Sequence, residues 1–593
     1  MSVVRERSAL GHPVSLFEHA RRLHQLAPDG PLPDGGRPFP DSGDYPGVSY
    51  SERRQALAAV LREFTSDPAL APQDLHERCT HLAIKALDVT QVLQDLAPEP
   101  SRRLLRTGRW LARNGTDRRA VLVGLGLLRG HAGPCDVPLL KVIGRLCFAD
   151  RLAVEALAGI PGAERDLIWL ADRSRGYTRI LAVQALAGRQ EQAIRDWVLS
   201  TPRELLSSEL ARKLAEEHDL AGALGQPSVD DALWDQAGSL LLAMTSTSNY
   251  RYEIDRYEQA PLAYQRWVAL AASRPAALDR AALLVMVTED LATGPAAPVL
   301  GDLRASLINQ VNRVLTAPPW TEMLNRGARS SDPVEARRAA WVIAAAPPGI
   351  PEEPFAVRVV VPDPQPDGFP QVEARIVIDG MPVIAASFSK GPAEAPEQLL
   401  NSGQLRADSE PKEVKLAEAY CTEGCCGALH VTIVREGDEV IWKNWRSPRP
   451  VDPPKEVRFS AEAYDREVSR AEQDHGWEWP ARTVARLVSD QLRADPSILG
   501  RWDCRIGWCT AWLKDFDAAR LTFVYPARTS SSDDPNIQFG LVAAVGDRNP
   551  QALTAQIIES LRHTDPRTTA EMIGGGKDSA ERLGLTYRKP TRW

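Results

Sequence analysis

Cysteines crowd one short segment of this sequence and are its most chemically suggestive residues. Cys421, Cys425 and Cys426 lie in a loop bounded by glycines, between two predicted strands. Structural zinc sites commonly include thiolates on a tight loop, because a turn can direct two sulfurs toward one ion about 2.3 Å away. The loop is therefore a candidate metal centre, with zinc as the ion to consider.

Further candidate ligands lie later in the chain, but the spacing does not favour zinc. His430 follows the loop on a predicted strand, and Cys504 and Cys509 come much later. Adjacent cysteines rarely ligate one ion together, and residues five apart on an ideal strand point to opposite faces unless a bulge intervenes. We therefore expect buried or loosely paired thiols, no bound cofactor, and less than about half a zinc ion per chain.

A nucleophilic thiol in the same loop is the enzymatic alternative, because backbone N–H groups beside a glycine can lower the pKa of a cysteine. The segment from Asp474 to Trp479 adds an acid, a base in His475 and two tryptophans. Acid–base catalysis needs such groups to converge in a cleft, whereas a corner between two helices explains the same residues. We favour the corner, with Trp477 and Trp479 packed inward. Nothing in the sequence places a histidine beside the thiols, which disfavours the nucleophilic thiol.

The glycine-rich segment 574–579 resembles a phosphate-binding loop only in part. It lacks the first glycine at the required spacing, and the sequence predicts neither a strand before it nor a long helix after it. We therefore interpret it as a flexible turn near the C-terminus.

Helical repeats precede the cysteine-rich region. An Ala-Val pair recurs inside apolar segments with steps of 33 and 29 residues, and its copies begin at Ala120, Ala153 and Ala182. Self-similarity at this period, with small residues inside apolar helices, is typical of stacked helix pairs. The pattern predicts an α-solenoid over residues 51–347. Residues 1–50 are predicted to form a short helix and a strap rich in proline and glycine.

Composition changes after residue 347, where β-like segments replace the alanine-rich helices. The predicted strands follow one another in runs and do not alternate with helices. This order predicts an α+β domain over residues 355–593. Its parts are a strand-rich segment (355–458), a segment of helices and strands (459–565) and a loose tail (566–593). Branched and alternating residues predict strands at 356–361, 372–378, 381–388, 414–421, 428–435, 439–445, 504–513, 521–526 and 537–545.

Two resemblances to known proteins agree with this layout. The Ala-Val-x-Ala-Leu segments at 153 and 182, and the run from Trp234 to Leu241, resemble HEAT-repeat proteins of actinobacteria that have no assigned activity. This resemblance covers about the first 350 residues and implies stacked helices. The segments 421–445 and 477–487 resemble the C-terminal region of uncharacterised actinobacterial proteins, which implies a shared α+β fold and no particular active site.

Composition narrows the class of protein. The chain has 593 residues, 44% of them hydrophobic and 25% charged, which predicts several ordinary globular domains. A net charge of −7 disfavours a general nucleic-acid binder. The first residues show no secretion signal, and no run of about 18 apolar residues occurs, so the sequence predicts a cytoplasmic protein without a membrane span. Its eight cysteines are then expected to be mostly reduced.

These patterns favour a non-enzymatic interaction or scaffold protein whose solenoid surface binds another protein, because solenoids offer extended surfaces. A role in bacterial conflict or immunity is a special case of this hypothesis. One alternative is a thiol-dependent or metal-dependent enzyme with its site in the C-terminal domain. Another is a solenoid that binds nucleic acid, which would need positively charged grooves.

The change in composition predicts a domain boundary between Ala346 and Phe355. We expect limited proteolysis to cut there or within the loop 390–412, because few contacts cross linkers between domains. Mass spectrometry of the fragments locates the cuts. Stable fragments that divide the helical region near Trp197 instead would contradict this domain map.

Overall fold

The computed structural model describes most of the chain. The described residues are 14–41, 48–97, 101–174, 176–189, 191–246, 253–345, 349–364, 371–388, 390–447, 456–528, 531 and 534–588. They form two compact units, Met1–Leu206 and Ser207–Trp593. Helices make up the first unit, and in the second unit helices are followed by three antiparallel sheets. The predicted order of a helical N-terminal part and an α+β C-terminal part is therefore confirmed.

Eleven α-helices are described in the first unit. They are α1 (Leu16–Leu26), α2 (Tyr50–Ser66), α3 (Pro72–Cys79), α4 (Ala86–Leu96), α5 (Arg102–Asn114), α6 (Arg118–Leu128), α7 (Val137–Ile143), α8 (Asp150–Ala158), α9 (Glu164–Asp172), α10 (Gly176–Leu186) and α11 (Gln192–Leu199). Polar caps begin several of them, because a side-chain oxygen can accept a hydrogen bond from a free N–H group in the first turn. Ser49, Ser101 and Asp117 do so for α2, α5 and α6.

From α2 onward, alternate helices contact one another in succession. The even-numbered helices α2, α4, α6, α8 and α10 form one series of contacts, and the odd-numbered helices from α3 to α11 form a second. Small residues allow close packing between neighbours: a Cβ atom on Gly124 of α6 would lie 2.9 Å from the carbonyl oxygen of Gly108 in α5. The Ala-Val pairs at 120, 153 and 182 are all buried in this array.

The segment between α1 and α2 packs on the first unit as far as residue 41. Leu32 is buried, and the ring of Phe39 meets that of Phe148 edge to face, with centroids 5.1 Å apart. Arg145 donates to the carbonyl oxygens of Ala27, at 2.7 Å, and Gly30. Residues 42–47 of the predicted strap lie outside the described residues.

The described part of the second unit begins with nine further α-helices. They are α12 (Ser208–Glu217), α13 (Leu220–Leu224), α14 (Asp231–Met244), α15 (Ala260–Ala271), α16 (Leu278–Thr293), α17 (Ala296–Leu300), α18 (Leu303–Leu315), α19 (Pro318–Gly327) and α20 (Pro333–Ala345). The indoles of Trp234 and Trp267 stack with centroids 4.7 Å apart. Each indole N–H donates to the backbone carbonyl oxygen of the other tryptophan at 2.9 Å, so both rings are buried with their polar groups satisfied.

Strands and short helices make up the rest. The strands are β1 (Phe355–Val360), β2 (Glu373–Ile378), β3 (Met381–Pro382), β4 (Lys412–Glu418), β5 (Ala428–Glu436), β6 (Glu439–Arg446), β7 (Val457–Ser460), β8 (Arg505–Ala511), β9 (Ala518–Tyr525), β10 (Ile537–Ala544) and β11 (Glu571–Gly574). The helices are α21 (Val383–Ser387), α22 (Pro396–Leu399), α23 (Glu423–Cys426), α24 (Ala461–Gln473), α25 (Pro480–Ala494), α26 (Ser497–Gly500), α27 (Pro550–His563), α28 (Pro566–Thr569) and α29 (Gly576–Arg582).

The three sheets are antiparallel, and in each the strands pair in chain order: β1–β3, β4–β7 and β8–β11. The first two share a core with α24, centred on the aromatic side chains of Phe355, Trp442, Phe459 and Tyr464. The third packs its apolar face against α25 and α27 in a separate core. None of the helices in the described ranges combines the length and apolar character that a membrane crossing requires.

Two sequence predictions are corrected by the fold. Residues 381–388 do not form one strand, because Pro382 has no N–H group to extend the ladder and α21 follows it at once. The sequence predicts a loose tail from residue 566, but the chain is not loose between that residue and residue 588. β11 pairs with β10 and α29 follows, with Ala580 buried. These contacts depend on strands distant in sequence, which local composition does not reveal.

Helices and sheets of the second unit are joined by charged and polar contacts. Arg375 of β2 lies 3.4 Å from Asp290 of α16, and Arg304 donates to the carbonyl oxygen of Gly380 at 2.7 Å. Helix gives way to strand between Ala345 and Phe355, and residues 346–348 of that segment lie outside the described residues. The compact units, however, divide at Leu206. The proteolytic boundary at 346–355 thus stays a prediction, with a competing cut near Leu206.

Removing the guanidinium group of Arg375 is expected to destabilise the second unit. Its side chain is 14% exposed and also lies 3.0 Å from Glu373. Burial raises the pKa of Asp290 even beside this cation, so the carboxylate needs its partner. We expect Arg375→Met to lower the free energy of unfolding by about 3–5 kcal/mol in urea titrations followed by circular dichroism.

The matched control is Arg458→Met, which removes a side chain that is 49% exposed and lies 2.6 Å from Glu439, itself 50% exposed. An exposed ion pair contributes roughly 0–1 kcal/mol, so this variant should remain close to the unchanged protein. Equal losses in the two variants would contradict the importance of burial at Arg375.

Candidate functional site

The cysteine loop is a single helical turn between two strands. β4 ends at Glu418, α23 follows, and β5 begins at Ala428. The N–H groups of Cys425 and Cys426 both donate to the carbonyl oxygen of Thr422 at 3.1 Å. Gly427 has φ of +92°, a conformation that side chains rarely adopt, and it lets the chain leave the turn directly into β5. The loop therefore has its own hydrogen-bonded framework.

That turn brings the three sulfurs together. The Sγ atoms of Cys421, Cys425 and Cys426 all lie within 4.8 Å of one another, and those of Cys425 and Cys426 are 3.8 Å apart. Cys425 is exposed, and the other two are partly buried. The spacing in the sequence did not predict this convergence. The helical turn α23 begins two residues after Cys421 and ends at Cys426, and the predicted strand running to residue 421 concealed it.

Mutual hydrogen bonding sets the acidity of these thiols. Partial burial raises the pKa of Cys421, but hydrogen bonding with the thiol of Cys426 and with the backbone near Thr422 lowers it to a net value below the ordinary one. The same bond with Cys421 raises the pKa of Cys426 to about 11, since a donating thiol must keep its proton. Cys421 therefore loses its proton more readily than Cys426.

His430 is not part of the cluster of sulfurs. It lies on β5 and is 8% exposed. Its Nε2 atom is 3.0 Å from a carboxylate oxygen of Glu423, and its Nδ1 atom is 3.8 Å from one of Glu413. Both ring nitrogens therefore face carboxylates rather than thiols.

Cys504 and Cys509 belong to the other core of the α+β region. Both are buried among the side chains of the third sheet, α25 and α27. The register of β8 against β9 shifts between Ile506 and Cys509, so a bulge interrupts ideal alternation. Burial raises the pKa of each thiol to about 12, which keeps both protonated and unreactive.

His475 lies in the corner between α24 and α25. Its Nδ1 atom is 3.6 Å from Glu478, whose carboxylate also accepts a hydrogen bond from Arg486 at 2.7 Å. Trp479 is buried, and the indole N–H of Trp477 donates to the carbonyl oxygen of Asp474 at 2.8 Å. The corner uses these groups for packing and for ion pairs, and the partner of the histidine is a carboxylate.

The glycine-rich segment 574–579 spans the junction of β11 and α29, so a strand does precede it, contrary to the sequence prediction. Gly575 has φ of +95°, and a Cβ atom there would lie 2.1 Å from the carbonyl oxygen of Asn536. Glycine is thus required for close packing beside β10. The helix that follows has seven residues, too short for the long helix of a phosphate loop.

The sequence analysis did not predict a cavity of about 440 Å³ in the α+β region. Glu397 accepts hydrogen bonds there from Arg482 at 2.5 Å and from the hydroxyl of Thr510 at 3.0 Å. Trp508 and Trp512 also line it. The partners of Glu397 are 85 and 113 residues away in sequence, so no local motif points to them. The nearest sequence signal was the pair of tryptophans four residues apart.

Among the residues that the structure describes, the three cysteines are the one group in which at least three His, Cys, Asp or Glu ligand atoms converge. No protein-family model matches the chain, and no curated protein or solved structure is significantly similar to it. The chemistry of the site therefore rests on its geometry.

Thiol labelling should separate the two classes of cysteine. At pH 8 we expect a maleimide to modify the exposed Cys425 within minutes and to leave Cys504, Cys509 and Cys79 untouched until the chain unfolds. Burial raises the pKa of each of these three to about 12, so they hold their protons at that pH. Because the pKa of Cys421 is lowered, its labelling should persist to a lower pH than that of an ordinary thiol. Tryptic mapping by mass spectrometry measures both, and native labelling of Cys504 would contradict the buried core.

Proposed function

We propose that the chain is a cytoplasmic, non-enzymatic interaction protein whose helical array binds another protein. The observation that carries this proposal is the pair of helix series in the first unit, one even-numbered and one odd-numbered, each running from neighbour to neighbour. Helix pairs stacked in this way build an α-solenoid, in which each repeat contacts only its neighbours and the outer residues are free to bind. The resemblance to HEAT-repeat proteins is consistent with it.

Exposed apolar side chains mark the surface we expect to bind. Tyr50, Leu87 and Tyr177 are 44%, 46% and 48% exposed. They occupy the first or second position of α2, α4 and α10, which all belong to the even-numbered series. Alternate helices of a solenoid run in the same direction, so their first turns lie along one edge. We name this set of first turns the even-helix edge.

Arginines accompany the aromatic rings of the even-helix edge. The guanidinium groups of Arg53 and Arg54 lie 5.6 and 5.4 Å from the centroid of the Tyr50 ring, and that of Arg151 lies 5.8 Å from the Tyr177 ring. Tyrosine and arginine are over-represented among the residues that contribute most to binding between proteins. The even-helix edge therefore has the chemistry of a protein interface.

The most basic helix supports a protein partner over a nucleic acid. α5 contains five arginines. Arg103 donates to the carbonyl oxygens of Phe64, Asp67 and Leu70, Arg109 pairs with Asp136 at 2.7 Å, and Arg113 lies over the Phe17 ring. These three cations contact protein groups of their own unit, which leaves them less available for phosphates.

Buried carboxylates of the first unit support a function that is not enzymatic. Asp88 pairs with Arg53 at 2.9 Å, and Asp136 pairs with Arg109 at 2.7 Å. A general acid or base must be able to exchange a proton with a substrate. Carboxylates that are buried and held by guanidinium groups serve to join helices instead.

The proposal predicts where a substitution should abolish binding. The tagged full-length protein is recovered from its native host with its partner, and the partner is quantified by mass spectrometry. We expect Leu87→Glu and Tyr177→Glu each to lower recovery by about tenfold or more, the usual effect of truncating an important interface residue. Both residues are exposed, so the fold should persist, as circular dichroism can verify.

The control is Tyr420→Glu, an equally drastic change at a side chain that is 62% exposed beside the cysteine loop. It should leave recovery of the partner unchanged, as should replacing Cys421, Cys425 and Cys426 together by alanine. If recovery instead falls for these C-terminal variants and not for Leu87→Glu or Tyr177→Glu, the helical array is not the binding surface.

A further inference from the structure

We propose that Cys421, Cys425 and Cys426 bind one soft monovalent metal ion, Cu(I), through three thiolates. This site belongs to the α+β region and does not depend on partner binding by the helical array. Soft thiolate ligands favour Cu(I), zinc and iron–sulfur clusters, whereas carboxylates and carbonyls favour harder ions. The number and position of the ligands select among the soft ions.

The distances between the sulfurs fit three-coordinate binding. Three sulfurs about 2.3 Å from a common ion in a trigonal plane are about 4.0 Å apart. The Sγ atoms of Cys425 and Cys426 are 3.8 Å apart, and all three lie within 4.8 Å of one another. Small rotations of the side chains of Cys421 and Cys425 would therefore close the site around an ion.

Among the described residues, no fourth ligand atom of the kind that structural zinc needs lies close to all three sulfurs. The nearest histidine in sequence, His430, has its two ring nitrogens directed at the carboxylates of Glu423 and Glu413. Structural zinc sites are almost always four-coordinate and tetrahedral. Three thiolates alone satisfy Cu(I) better than they satisfy zinc.

Hydrogen bonds of the cysteine loop hold the three cysteines in place before an ion binds. Besides the bonds to Thr422, the N–H of Gly427 donates to Glu423 at 2.9 Å, and the N–H of Ala419 donates to Gly427 at 3.0 Å. The ammonium group of Lys390 donates to the carbonyl oxygen of Cys426 at 3.0 Å, which places a positive charge beside ligands that become anionic on binding. The ion is thus not needed to form the turn.

The exposure of the three cysteines determines how readily a bound ion would exchange. Cys425 is exposed and the other two thiols are partly buried, so the ion would lie at the surface. A surface site loads from and releases to other thiol ligands more readily than a buried structural one. We therefore expect binding without a large change in fold and with rapid exchange.

The test is an anaerobic titration of the full-length, fully reduced protein with Cu(I) against bathocuproine disulfonate, whose copper complex is coloured. We expect the protein to withdraw one Cu(I) per chain from the chelator, with thiolate-to-copper absorption in the ultraviolet. Cys425→Ser should weaken this binding at least about 100-fold, because a second-shell change alone costs 10–100-fold. Cys421→Ser provides a second variant at a different position in the turn.

The matched control is Cys135→Ser, which removes an exposed cysteine of the first unit and should leave copper binding unchanged. Circular dichroism of each variant establishes that the fold persists. Equal copper uptake by the unchanged protein and by Cys425→Ser would overturn the proposal. So would one tightly held zinc ion per chain that excess Cu(I) does not displace and that is lost in Cys425→Ser, since the site would then be a zinc site.

Discussion

The second unit depends on a buried cation, Arg375, placed among acidic side chains of both a helix and a strand. Its guanidinium group lies near Asp290 of α16 and Glu373 of β2, so one side chain neutralises charges from two kinds of element. The buried carboxylate of Asp290 would be costly in this interior without a counter-charge. The α+β region, with the cysteine loop on its surface, is therefore built together with the helices that precede it, and the compact unit extends back to Ser207.

Arginine plays a comparable role throughout the chain. Arg53 holds Asp88, Arg109 holds Asp136 and Arg338 holds Asp363 at 2.8 Å, and each carboxylate is buried. The planar guanidinium group suits this role because it can donate several hydrogen bonds in fixed directions. The excess of arginine over lysine thus has a structural use. It also explains why helices rich in arginine here need not bind nucleic acid.

The two proposed functions, protein binding and Cu(I) binding, depend on different physical properties of the chain. A helical array offers a long surface with few constraints on its outer residues, which suits recognition of a protein. The cysteine loop offers three soft ligands within one turn, which suits an ion and requires little surface. Because they rest on separate sets of residues, either can fail without the other.

The sequence by itself determined the order of fold classes and most of the strands. Periodic apolar residues and the change in composition at residues 346–355 sufficed, because helices and hairpins depend on residues close in the chain. Tertiary structure decided the rest. The pairing of β11 with β10, the helical turn that gathers Cys421 with Cys425 and Cys426, and the partners of Glu397 all required knowledge of neighbours or backbone angles that spacing does not contain. Local patterns report propensity, whereas the convergence of side chains depends on how the whole chain packs.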